Sequence, residues 1–252
     1  MEKINQFSIQ RLFLLMKRHS VMNAKTWLIG LGALSGILII IALIQSYSNG
    51  FFDLESLVTI GTIFIFIGGF IVTSAAYNEL HTPARGQFYL ILPANTLEKL
   101  LSNWLLSSAV FVVVAFVLLS VVLGITTLLS SWVFNTDTAF FNPFTHDNLE
   151  NMGVYVVVQS IFFLGALYFR KNNFIKTLLS VFVVMFGLSI ILGFLGWVIL
   201  GEFNHISDEN LPESNFVFFT ETLPQIARII FWWLTAPFFL LVSYFKLKER
   251  EV

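Results

Sequence analysis

WLLSSAVFVVVAFVLLSVVLGITTLL, from Trp104 to Leu129, contains no charged side chain and no alternation that would give a helix a water-facing stripe. About 20 apolar residues in a helix cross the roughly 30 Å hydrocarbon core of a bilayer, so this run is long enough to span one. It lies in an uncharged gap covering residues 100–136, and the chain has more gaps of the same kind. Residues 26–52, 56–78, 151–169 and 177–201 carry no charge, and the run from Ile226 to Phe245 has only Arg228 near its start. The spacing predicts six spans, at about 27–45, 57–77, 104–129, 151–169, 177–200 and 226–245.

Composition agrees. Of 252 residues, 57% are hydrophobic and 12% charged, with 29 phenylalanines, and the mean hydropathy is +0.82. Soluble domains carry about 25% charged residues. The few charges here cannot clothe a water-facing surface, which excludes a soluble enzyme, a disordered chain and a nucleic-acid binder. A net charge of −1 gives no basic footprint for nucleic acid. With no cysteine there is neither a disulfide nor a thiolate metal site. Arg11, Lys17 and Arg18 interrupt the first apolar positions, unlike a secretory signal, so the first span is expected to stay in the mature protein.

Basic residues flank the cytoplasmic ends of spans. All 14 except Arg228 fall in the N-terminal segment, the loops 78–103 and 170–176, and the tail 246–252. The alternate loops, 46–56, 130–150 and 201–225, hold most of the 15 acidic residues. Both ends are therefore expected inside. The expected fold is an all-α polytopic membrane protein, one transmembrane domain over 1–252, without a folded soluble domain on either face.

The middles of the spans hold no ionisable group, whereas ion-coupled carriers usually show a buried acid or a broken polar helix. His19, His81, His146 and His205 fall in loops or interface segments without a His-Glu-x-x-His pair, so no metal site is expected. Ala33-Leu34-Ser35-Gly36 is short of the first glycine of an intramembrane serine-protease motif, and Ser35 reads as a packing residue. No catalytic residue is assigned. Gly32 and Gly36, and more loosely Ser189 and Gly193, are spaced for close helix packing within the chain or between subunits. Arg228 reads as a side chain snorkelling at the outer leaflet; the other reading is a substrate contact or an ion pair with Glu221, seven residues earlier.

The cytoplasmic elements say more. Ile9, Leu12, Phe13 and Met16 follow helical spacing, and Arg11, Lys17 and Arg18 can reach anionic headgroups. Residues 1–25 are thus expected to form an amphipathic helix along the inner leaflet. In the loop between spans two and three, Pro83 and Pro93 bracket Phe88-Tyr89-Leu90-Ile91-Leu92, too apolar for an exposed loop. Asn95 and Glu98 are spaced as a capping box, and Leu97, Leu100, Leu101 and Trp104 run helically into span three. The short apolar element must bury itself in headgroups or in a partner's groove.

Glu79, then Gly86, Leu90-Ile91-Leu92-Pro93 and Lys99 follow the order found in the permeases of type-2 ATP-binding cassette (ABC) exporters, which this chain resembles. Gln87 and Asn95-Thr96 depart from the usual residues, and the motif covers only about twenty positions. The resemblance implies six spans, an interfacial first helix, and a coupling helix in the loop that sits in a cleft of a separate ATPase. Glu79, Arg85, Gly86, Leu92, Pro93 and Glu98 would then be contacts or shape determinants of that loop. It also implies a second permease copy or paralogue, short re-entrant helices before span six (near Phe216 to Phe219 and Pro224), and a bacterial cytoplasmic membrane. The chain has no Walker A pattern, so ATP and magnesium would be held by the partner. Spans rich in Phe, Val, Leu and Ile suit a hydrophobic or amphiphilic cargo. The competing expectations are a non-transporting scaffold docking a cytoplasmic partner through the same loop, then an ion-coupled carrier.

Overall fold

A computed structural model describes residues 7–49, 53–134, 140–201 and 221–251, except for the side chains of residues 49, 83–85, 196, 198–201 and 251. All its regular elements are helices. They are α1 (Ile9–Asn49), α2 (Leu54–Ala75), α3 (Pro83–Ile91), α4 (Thr96–Phe134), α5 (His146–Tyr168), α6 (Asn173–Gly201) and α7 (Leu223–Arg250). All but α3 are long and apolar enough to cross a membrane, which makes six spans. Phe216 to Phe219, and with them the expected re-entrant helices, lie outside the described residues, as does His205.

The caps follow from the sequence. Asp53 accepts from the Ser56 amide to start α2. Asn95 and Glu98 form the expected capping box that opens α4. Asn172 takes a left-handed backbone (φ 53°) in the tight turn joining α5 to α6, a conformation that asparagine tolerates better than most residues.

At 1.5 Å per residue, the 41-residue α1 and the 39-residue α4 are each about 60 Å long, twice the hydrocarbon thickness. Each is thus longer than a single crossing of the hydrocarbon requires. This corrects the expectation for residues 1–25: the described part of the amphipathic segment does not form a separate helix but runs into the first span without a break. The helix that carries span three likewise begins before the expected 104, at Thr96.

Two apolar cores hold the bundle. The first lies between α1, α2, α4 and α5 and includes Leu38, Leu57, Phe116, Leu123 and Tyr155, with Phe66 and Phe70 packed on its edge. The second, at one end, gathers Tyr77, Tyr89, Leu100, Phe163, Leu167 and Leu247. Most of α6 remains uncovered, from Leu178 to Leu195. Lipid tails are as apolar as leucine, so such a face is under no pressure to pack.

One irregularity sits in the middle of α4. Over Leu106–Val110 the helix widens to a π turn, and the Phe111 amide bonds Leu106 and Ser108 rather than Ser107. The Ser107 carbonyl is thereby released to accept from the Tyr155 hydroxyl at 2.9 Å. Gln159 donates to Ser107 Oγ (2.8 Å) and to Thr73 Oγ1 (3.2 Å), tying α5 to α4 and α2 through buried polar groups.

Candidate functional site

The first turns of α1, residues 76–99, the α5–α6 turn and the last turns of α7 meet at one end of the bundle. Pro83 starts α3 at a position where an amide would have no partner. Leu92 leaves the helix in an extended conformation, which the following Pro93 requires. α3 is amphipathic in a definite sense: Tyr89 is buried, whereas Phe88 and Ile91 are 74% and 77% exposed and Gln87 is exposed beside them.

The buried face is pinned from α4 and α1. Asn103 Nδ2 donates to the Tyr89 hydroxyl at 3.1 Å, and Lys99 Nζ donates to the Leu90 carbonyl at 3.1 Å while lying over the Tyr89 ring. The rings of His19 and Tyr77 pack against Tyr89 at 6.3 Å each. Gly86 is where α3 crosses closest to the turn before it: a Cβ there would stand 3.0 Å from the Leu80 carbonyl oxygen.

Two carboxylates, one on each side of the element, tie the segments that flank it to α1. Glu98, fully buried, accepts from the Ser8 amide (2.6 Å), from Arg11 Nη2 (2.8 Å) and Nε (3.0 Å), and from the Asn95 amide (3.0 Å). Glu79 accepts from Arg18 Nη2 at 2.9 Å. The spacing of Arg11 and Arg18, two turns apart, puts both on one face of α1 with Leu12, Leu15 and His19, and that face is turned inward. Ile9 and Phe13 point outward instead, as does Lys17. Arg11 and Arg18 thus meet acids of the 79–98 loop, because a carboxylate needs a partner more when it is taken out of water.

Of the expected loop residues, Glu79, Gly86, Leu92 and Glu98 are brought together, and all contact their own chain. The Arg85 side chain lies outside the described residues. Phe88 and Ile91, which form the outward face, were read from the sequence only as part of the apolar stretch 88–92, not as a face of their own. Their i, i+3 spacing carried that signal, but reading it required the helix bounds.

At the same end, His81 Nε2 lies 2.7 Å from the Ala166 carbonyl oxygen and Nδ1 3.2 Å from Arg250 Nη1. A carbonyl only accepts and a guanidinium only donates, so the ring is neutral with its proton on Nε2. Burial and the nearby charges of Arg250 and Arg170 hold the His81 pKa below its usual value, against the opposing bond to Ala166. Arg250 Nη2 also donates to the Leu167 carbonyl at 2.8 Å. Together His81 and Arg250 satisfy the carbonyls that the end of α5 leaves open.

At the opposite end Arg228 approaches Glu150, with Nη2 3.9 Å from Oε1 and both side chains largely exposed. Its exposed side chain fits the snorkelling reading, and the acid it approaches is Glu150 and not Glu221, which precedes α7 and is exposed. An exposed pair of this length stabilises little. Gly32 and Gly36 have nothing within 4 Å of a Cβ position, so that pair does not serve packing within the chain, and Gly193 is equally open. His19 is also corrected, from an interface residue to a buried one inside α1. Ser35 donates to the Leu31 carbonyl of its own helix at 2.8 Å. It lines an apolar cavity of about 340 Å³ between α1, α2 and α4, with Trp27, Phe64, Gly68 and Leu118. Among the described residues no group of three or more His, Asp or Glu side chains could hold a metal ion.

Compared with protein-family models, with curated proteins and with solved structures, the chain matches none of them. The class that the fold defines is that of an integral membrane protein with six membrane-spanning helices.

Proposed function

We propose that the chain is the permease subunit of an ATP-driven exporter of the type-2 ABC class, with both termini in the cytoplasm of a bacterial cell. The observation that carries this reading is α3. A nine-residue helix is pinned to α4 by Lys99 and Asn103, with the His19 ring of α1 against its Tyr89, while it turns Phe88 and Ile91 outward. Rigid attachment is what a coupling element needs, because movement of the partner then passes into the spans instead of being absorbed by a loop. The separate ATPase would bind ATP and magnesium, and ATP would supply the differential affinity that drives two states. A second copy or a paralogue would complete the path. The open face of Gly32 and Gly36 on α1 is available to it. The apolar cavity against α1 is in keeping with a hydrophobic or amphiphilic cargo.

The test is co-purification of the tagged chain in mild detergent from its native host, followed by mass spectrometry and an ATPase assay. A stoichiometric ATP-binding subunit whose hydrolysis responds to added hydrophobic substrates is the expected result. A stoichiometric partner without nucleotide-binding motifs would replace this reading with that of a membrane scaffold, which would use the same helix.

A further inference from the structure

Behind α3 lies a second opening of about 340 Å³, of mixed polarity with Leu80 and Leu90 in its wall, where the cavity between α1, α2 and α4 is almost wholly apolar. It is lined by His81 and Thr82 of the preceding turn, Gly86 and Gln87 of α3, Arg170 of the α5–α6 turn and Arg250 of α7. Two guanidinium groups face this one space, and no carboxylate of the described residues pairs with either. Arg250 spends one Nη1 proton on His81 and one Nη2 proton on Leu167. A guanidinium has five N–H donors, so three remain. Arg170 is exposed and, among the described residues, has no hydrogen bond or ion pair. His81, fixed as a neutral acceptor toward Arg250, does not neutralise either charge. Like charges collected without a counter-charge repel, and an anion with several acceptor oxygens reverses that repulsion.

We propose that this opening binds a phosphate group, held between Arg170 and Arg250 with the Gln87 amide at its edge. The surroundings favour the headgroup of an anionic phospholipid as its source. Tyr168 and Phe169 lie at the same end, with Lys246 Nζ 5.9 Å over the first ring and Lys176 Nζ 5.8 Å over the second. Aromatic rings interleaved with lysines mark the headgroup level of a membrane protein. An occupied site would link α3 to the α5–α6 turn and to α7. It stands whether or not α3 docks an ATPase.

Native mass spectrometry of the full chain in maltoside detergent tests it, with three probes: dioctanoyl phosphatidylglycerol, dioctanoyl phosphatidylcholine and inorganic phosphate. The expected result is one saturable phosphatidylglycerol adduct, no comparable phosphatidylcholine adduct, and about tenfold or greater weakening in Arg170→Ala, since a charge-assisted contact is lost. Arg170→Lys should recover most of the binding. Arg170 is exposed and makes no hydrogen bond among the described residues, whereas Arg250 bonds His81 and Leu167, so Arg170→Ala remains interpretable where Arg250→Ala would not. Displacement of the adduct by inorganic phosphate would still support the site and show that a free anion can fill it. Equal adducts in the wild type, Arg170→Ala and Arg170→Glu, with no displacement by phosphate, would overturn the proposal.

Discussion

Replacing both Phe88 and Ile91 by serine removes the apolar face of α3 without touching the contacts that hold it. These side chains are 74% and 77% exposed, so the folded chain loses little when they are truncated. Full burial of a Phe or Ile side chain is worth about 1.5–3 kcal/mol. Only the three-quarters still exposed can be buried on docking, which leaves roughly 1–2 kcal/mol each, or about 2–4 kcal/mol for the pair. At 1.4 kcal/mol per tenfold, the affinity for a docked partner should fall between roughly 30-fold and several hundredfold. The assay is the fraction of the co-purifying cytoplasmic subunit retained after a fixed wash, with thermal unfolding in detergent as the control for folding. Phe13→Ser serves as the comparison, because it removes a similarly exposed apolar group (62%) from α1. Its retention should equal that of the wild type. If the double variant keeps its partner as well as Phe13→Ser does, α3 rests in headgroups and is not the docking element, and the reasoning fails.

Glu98→Gln should lower Tm by more than loss of the helix cap alone, about 1 kcal/mol, because its new amide protons would face the donors Arg11, Ser8 and Asn95. Limited proteolysis should then cut within the first turns of α1, and an unchanged cleavage pattern would count against the lock. Gly69→Leu should destabilise by about 1–3 kcal/mol or more, since even a Cβ there runs into the rings of Tyr155 and Phe111. Gly36→Leu should leave the monomer's Tm unchanged, because nothing lies within 4 Å of it. For His81 the folded pKa is depressed, so its neutral form contributes stability above the unfolded value of about 6.5, which is lost as pH falls toward the folded pKa. Tm should therefore decline below about pH 6.5 more steeply in the wild type than in His81→Gln, whose amide still offers one donor and one acceptor; parallel curves would refute the assignment.

The six spans could be read from hydropathy alone, because a bilayer imposes one strong condition: a long uncharged run must satisfy its backbone internally, and only a helix does so here. The α4 cap was legible for a similar reason, since Asn95 and Glu98 act on their immediate neighbours. Charge partners were not. Arg11 and Arg18 carry the same local pattern whether they face headgroups or protein, and what turned them inward was the placement of Glu98 and Glu79, 87 and 61 residues away. For the same reason Arg228 approaches Glu150 rather than Glu221, the acid nearest to it in sequence on that side. The outward face of α3 depended on which side Tyr89 was drawn to, and that was decided by Asn103 and Lys99 on another helix. Periodicity and length are properties of a segment, so the sequence alone determined the spans and the caps. Pairing, the inward face of α1 and the opening between Arg170 and Arg250 arise from separate segments brought to one end of the bundle, and only the tertiary structure decided them.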